Sequence, residues 1–101
     1  MHGVQVVRQS DETTLVFEPV LDVTHARHLY SELDGALAAA APMALDAACV
    51  ERVDAATLQL LAAFCCAARA AQLPLRWQGA STVLCRSAAL LNLYDTLGLP
   101  T

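Results

Sequence analysis

MALDAACVERVDAATLQLL, residues 43–61, decides how the chain folds. Its first part, MALDAACV (43–50), is a short apolar run set off by Pro42, and its second part opens on Asp54 and spaces its leucines helically. A brief apolar run between two helical patterns reads as a strand buried on both faces, as strands of parallel sheets are. From 54 to 71, Leu58, Leu61, Phe64, Cys65 and Ala68 fall on one side of a helix. Asp54 stands at its start, where a carboxylate accepts hydrogen bonds from the free N–H of Ala56 or Thr57 and suits the positive end of the helix. Such a cap contributes about 0.5–2 kcal/mol.

The flanks extend the pattern in both directions. VQVVRQ (4–9) and TTLVFEPV (13–20) are β-branched and apolar, and the polar Ser10, Asp11 and Glu12 between them predict a hairpin. Pro19 makes the end of the second strand an edge or an exit. The stretch 22–42 predicts a helix of about 16 residues. Ala26, Leu29, Tyr30, Leu33, Leu37 and Ala40 form its apolar stripe, with His25, His28, Glu32 and Asp34 opposite, Thr24 or Asp22 as N-cap and Pro42 as stop. PLRWQG (74–79) is a further strand, Ser81 caps a helix running to about Leu91, and Asn92 suits a left-handed cap. LYDTLG (93–98) is a last helical turn. The expected fold is an α/β sandwich, a small mixed β-sheet with helices packed on it in the order β-β-α-β-α-β-α, forming one domain over residues 1–101.

Composition excludes several functions. The 101 residues carry a net charge of −4, with six arginines and no lysine, so no basic stripe exists for a nucleic-acid backbone. The hydrophobic fraction is 56 %, much of it alanine, yet no run approaches the roughly 20 apolar residues of a membrane span. The N-terminus lacks a signal-peptide pattern, which predicts a cytoplasmic protein with no direct membrane insertion. Cys49, Cys65, Cys66 and Cys85 have no zinc spacing, and His25 with His28 lacks a third ligand, so no metal and no cofactor are expected.

The stretch MALDAACVERVDAATLQLLAAFCCAARAAQLPLRWQGAS (43–81) resembles the core of the STAS domain, the fold of bacterial anti-sigma-factor antagonists. The family signature is an apolar strand ending in Leu-Asp, an apolar residue, then Asp-Ser-Ser-Gly-Leu opening a helix. Leu45-Asp46, Val50, Asp54 and Leu58 match it, and the resemblance runs from LDVTHARHLYSEL at residue 21 to LNLYDTLGL at 91–99, Trp77-Gln78-Gly79 included. It implies a non-catalytic regulator that binds a cytoplasmic protein. The partner is an anti-sigma factor or another histidine-kinase-like ATPase; the alternative is the ATPase of a phospholipid-transport ABC system, with this chain as its accessory subunit. A monomer or weak homodimer is expected.

The chain departs from the family where regulation is applied. In regulated members a kinase phosphorylates the serine after the signature aspartate; here that position is Ala55, which has no hydroxyl. The next serine is Ala56 and the glycine is Thr57, leaving Thr57 as the one substitute phosphosite. Thr57 points roughly 200° around the helix from Ala55 and reads more simply as filling space or bonding backbone. In the family, partners dock on the signature loop and this helix. The expected contact residues are therefore Asp54, Ala55, Ala56, Thr57, Gln59, Ala63, Cys66 and Arg69, a face less polar than solvated helix faces usually are.

Two other classes fit less well. A thiol enzyme would rest on Cys49, but its sequence neighbours Asp46 and Asp54 are the wrong company for a nucleophile that works as an anion. An anion- or nucleotide-binding module at the 54–57 helix start lacks the glycines of a phosphate loop.

Overall fold

The computed structural model describes residues 4–9, 12–22, 24 and 26–99, the side chains of Val4, Gln5, Arg8 and Gln9 excepted. Ser10 and Asp11 of the predicted turn, and His25, lie outside the described residues. The elements are β1 (Val4–Gln9), β2 (Glu12–Phe17), β3 (Val20–Leu21), α1 (Ala26–Ala39), β4 (Met43–Ala47), β5 (Arg52–Val53), α2 (Ala55–Ala70), β6 (Leu75–Ala80), α3 (Thr82–Leu90) and α4 (Tyr94–Leu97).

Four strands form a mixed sheet in the order β1-β2-β4-β6. β1 and β2 are the expected antiparallel hairpin, and β4 runs parallel to both β2 and β6. MALDA is thus the buried central strand its apolarity predicts, with Met43, Ala44, Leu45 and Ala47 all buried. Two prolines set the strand entries. Neither has an N–H to offer, but Pro42 C=O accepts from Thr13 N–H at 3.0 Å and Pro74 C=O from Met43 N–H at 2.9 Å.

Leu15, Phe17, Met43 and Leu45 on the sheet meet Leu29 and Leu33 of α1, Leu58, Leu61 and Phe64 of α2, and Leu84 of α3 in one core. Beyond the sheet's other face, Arg76 donates to Glu12 from Nε (3.1 Å) and from one terminal nitrogen (2.9 Å), a bidentate pair linking β6 to β2. On β4, Ala44 stands beside Arg76 and opposite Thr14, two residues along β2 from Glu12, so the Arg76 side chain reaches diagonally across β4.

Three local predictions change. TTLVFEPV does not stay one strand: Pro19 ends β2, and Val20–Leu21 pairs instead with Arg52–Val53 as a separate parallel ribbon. The α1 stripe is rotated, with Leu29, Leu33 and Ala36 buried while Tyr30 is 59 % exposed. The helix stops at Ala39 because Ala40 takes the left-handed conformation (φ 55°), two residues before Pro42. Ahead of the helix, the Asp22 carboxylate accepts from Thr24 N–H at 3.0 Å, a tight turn at the helix entry where the sequence offers Thr24 or Asp22 as N-cap. Ser81 caps α3 by accepting from Leu84 N–H at 3.1 Å, and Asn92 is left-handed (φ 61°), both as the sequence predicts.

Candidate functional site: the start and outer face of α2

The signature loop is held by backbone before any side chain acts. Pro19 C=O accepts from Glu51 N–H (2.7 Å) and Arg52 N–H (3.0 Å), and Leu21 C=O accepts from Asp54 N–H (3.2 Å). The β3–β5 ribbon that a proline created therefore fixes where α2 begins. Asp54 is the extended N-cap (φ −91°, ψ 166°), and its Oδ1 accepts from Thr57 N–H at 2.8 Å. That bond satisfies one of the four orphan donors and places negative charge at the positive helix end.

Upstream, Asp46 at the end of β4 turns its carboxylate back on the chain. Oδ1 accepts from Ala48 N–H at 3.1 Å, and Oδ2 accepts from Gln78 Nε2 at 3.4 Å. A register shift between β4 and β6 at Leu45/Asp46 puts Gly79 opposite Asp46. A Cβ on Gly79 would stand 3.1 Å from Ala48 Cβ and 3.2 Å from Asp46 Oδ1, so glycine allows this close passage. Asp46 is thereby committed to structural bonds, one to the turn after β4 and one to β6.

The first turn of α2 sorts its residues sharply. Ala55 and Ala56 face solvent, whereas Thr57 is 1 % exposed and lies in the core row with Leu61 and Phe64. Its Oγ1 is buried with no hydrogen-bond partner. Thr57 fills space, and its hydroxyl does not bond backbone. Of the eight expected contact residues, Ala55, Ala56, Gln59, Ala63, Cys66 and Arg69 are exposed, Asp54 is half-buried, and Thr57 is turned away from them. The exposed row runs from 55 to 69, about 21 Å at 1.5 Å per residue. Arg69 also has an internal duty: its guanidinium donates to Thr96 C=O, tying α2 to α4. Trp77 ties the same short helix to the sheet by donating from Nε1 to Leu97 C=O at 2.9 Å.

The chemistry available here is contact chemistry. Cys65 is buried, and burial pushes its thiol up to about 12, so it remains protonated at neutral pH. Cys66 beside it is exposed, as is Cys49 in the turn after β4. Among the described residues no group of three His, Cys, Asp or Glu side chains converges to hold a metal. A small recess of about 100 Å³ adjoins Asp54, lined by Val20, Leu21, Asp22, Arg52 and Val53. None of the described helices is long and apolar enough to cross a membrane.

This arrangement, a mixed sheet with a capped helix leaving the end of its central segment, is that of the STAS fold. A family described as "Mlab, STAS domain" matches residues 4–99, and the chain belongs to that family. Among solved structures it is similar to an anti-sigma factor antagonist from Mycobacterium paratuberculosis, with a TM-score of 0.78 and 19 % identity over 97 % of this chain and 85 % of that one. It is also similar to part of a larger protein described as Mglu, with a TM-score of 0.66 and 21 % identity over 75 % of this chain; the match spans 19 % of that protein. No curated protein matches the sequence.

Proposed function

We infer that this STAS domain is a non-catalytic docking module that engages a cytoplasmic protein through the start and outer face of α2, without the serine switch of regulated relatives. One observation carries the reading. The position where the family keeps its regulatory hydroxyl is an exposed methyl, Ala55, while the nearest hydroxyl, Thr57, is buried in the core row. A docking face is kept at the surface and its modification handle is absent from it. A row of alanines with Gln59 and Cys66 is weakly hydrated and loses little on being covered. Residues 1–101 then act as one domain, as a monomer or weak homodimer.

The partner class follows the family resemblance: an anti-sigma factor or other histidine-kinase-like ATPase. A second reading is favoured by the same missing hydroxyl. An accessory subunit on the ATPase of a phospholipid-transport ABC system needs a constant contact and no phosphate-controlled release. The test is capture from native lysate of the source cells on immobilised wild type and on Ala56→Glu, which sets a charge on the exposed first turn. An ATPase of either class, held by wild type and lost by Ala56→Glu, supports the reading, and its identity selects the partner. Capture of neither class, or equal capture by both baits, contradicts it.

A further inference from the structure

A groove of about 160 Å³ runs between α1 and α2, beside the docking face but distinct from the signature loop. α1 contributes Tyr30, Leu33, Asp34 and Leu37 to it, and α2 contributes Leu60, Ala63, Phe64 and Ala67. Each set is spaced at i, i+3, i+4 and i+7, so both walls follow a helix for two turns, about 10 Å. The α2 wall is low because two of its four residues are alanine. Tyr30 rises from the opposite wall, 59 % exposed, the one large hydrophobic side chain of α1 that is exposed. The floor, Leu33 and Phe64, is buried core.

Asp34 is the only charged residue of the lining. It is exposed and forms no ion pair or hydrogen bond among the described residues; the nearby Glu32 is instead engaged by His28 at 3.8 Å. An apolar trough walled by two helices has the shape that receives a third helix by ridge-into-groove packing. One unpaired carboxylate on its rim sets the charge that helix should bring.

The geometry points to the α1–α2 groove as the seat of an amphipathic helix of the partner, which inserts Leu- or Phe-type anchors between Tyr30 and Ala63 and sets an arginine or lysine against Asp34. This deepens the docking reading above and rests on it, adding the chemistry of the segment that binds. Helix-in-groove recognition reads anchors at i, i+3/i+4 and i+7, the spacing of the groove itself. The volume holds one such side chain, since a dry cavity of about 150 Å³ takes a benzene ring.

The test uses a synthetic alanine-based helical peptide of about 15 residues, with leucines on one face and arginines flanking them, against the same peptide carrying glutamates for arginines. Binding is followed by amide shifts of the isotope-labelled chain. The arginine peptide is expected to shift Leu33, Leu37, Ala63 and Ala67 and to bind at least about threefold more tightly than the glutamate peptide at low salt. Asp34→Asn, an exposed change, is expected to erase that preference, and Ala67→Phe, which fills the groove, to abolish the shifts. No shift at about 1 mM peptide, shifts elsewhere, or equal binding of the two peptides overturns the inference. So do concentration-dependent groove shifts without peptide, which would assign the groove to a second copy. Ala56→Glu separates the two proposals: loss of native capture with no peptide binding leaves the docking face standing and sinks the groove.

Discussion

Thr57 offers the sharpest quantitative test of how the first turn of α2 is built. Its side chain is 1 % exposed and its Oγ1 has no partner. A buried hydroxyl without a hydrogen bond carries a desolvation cost of about 1–3 kcal/mol. Thr57→Val keeps the shape, removes the oxygen and changes helix propensity little. The variant is therefore expected to be more stable by about 1 kcal/mol, the lower end of that cost. For a chain of this length that raises Tm by about 4–8 °C. Thr57→Glu is the opposite perturbation. It forces a longer, charged side chain into the core row, next to Asp54, whose carboxylate already holds the Thr57 amide. An unpaired buried charge costs several kcal/mol, enough to unfold a marginal domain. Urea denaturation followed by circular dichroism measures both variants, with unchanged slopes confirming that only stability moved. A Thr57→Val variant less stable than wild type by 1 kcal/mol or more, or a Thr57→Glu variant melting like wild type, would refute the inward placement.

Three further outcomes are expected. Gly79→Ala brings a methyl to 3.1 Å from Ala48 Cβ and 3.2 Å from Asp46 Oδ1, so it is expected to lose about 1–3 kcal/mol by urea melt; a neutral result would mean the turn after β4 yields freely. Arg76 holds the Glu12 carboxyl below its ordinary value of 4.5, chiefly through their hydrogen bonds. A depressed carboxyl stabilises the fold fully above that value and progressively less as pH falls through the folded-state value, so wild type and Glu12→Gln are expected to converge in stability at low pH. A gap that persists in strong acid would contradict the pairing. Thiol labelling at mildly alkaline pH is expected to modify the exposed Cys49 and Cys66 first and to spare Cys65, whose buried thiol sits at about 12; rapid labelling of Cys65 would place it at the surface.

Much of the fold was legible because a few residues carry unambiguous signals. The MALDA strand, the Asp54 and Ser81 caps and the left-handed Asn92 each follow from local chemistry that tertiary contacts did not override. What escaped depends on non-local pairing. Pro19 signals an edge or an exit, but nothing near Val20–Leu21 says that it will pair with Arg52–Val53, thirty-two residues on in the chain. The Glu12–Arg76 pair across β4 is equally invisible until the strand order β2-β4-β6 is known. The α1 stripe expected from the sequence is rotated from the buried one because Tyr30 is apolar enough to join it, yet it stands beside a groove instead of entering the core. Thr57 was readable in principle. It precedes Leu61 by four and Phe64 by seven, the spacing of the core row, which fits its reading as a space-filling residue, but its hydroxyl argues for a backbone bond that the packing does not supply. Arg69, expected as a free contact residue, is also a tie to α4, because the carbonyl of Thr96 is brought to it only by the fold.

The central claim is docking at α2 without a phosphate switch. It is tested most directly by native mass spectrometry of the chain isolated with its partner from source cells, followed by peptide mapping of the signature segment. The account predicts a partner-bound chain with no phosphate on residues 52–69, and binding unchanged by phosphatase treatment. Phosphate at Thr57, or a complex that forms or falls apart with phosphatase treatment of this chain, would contradict it.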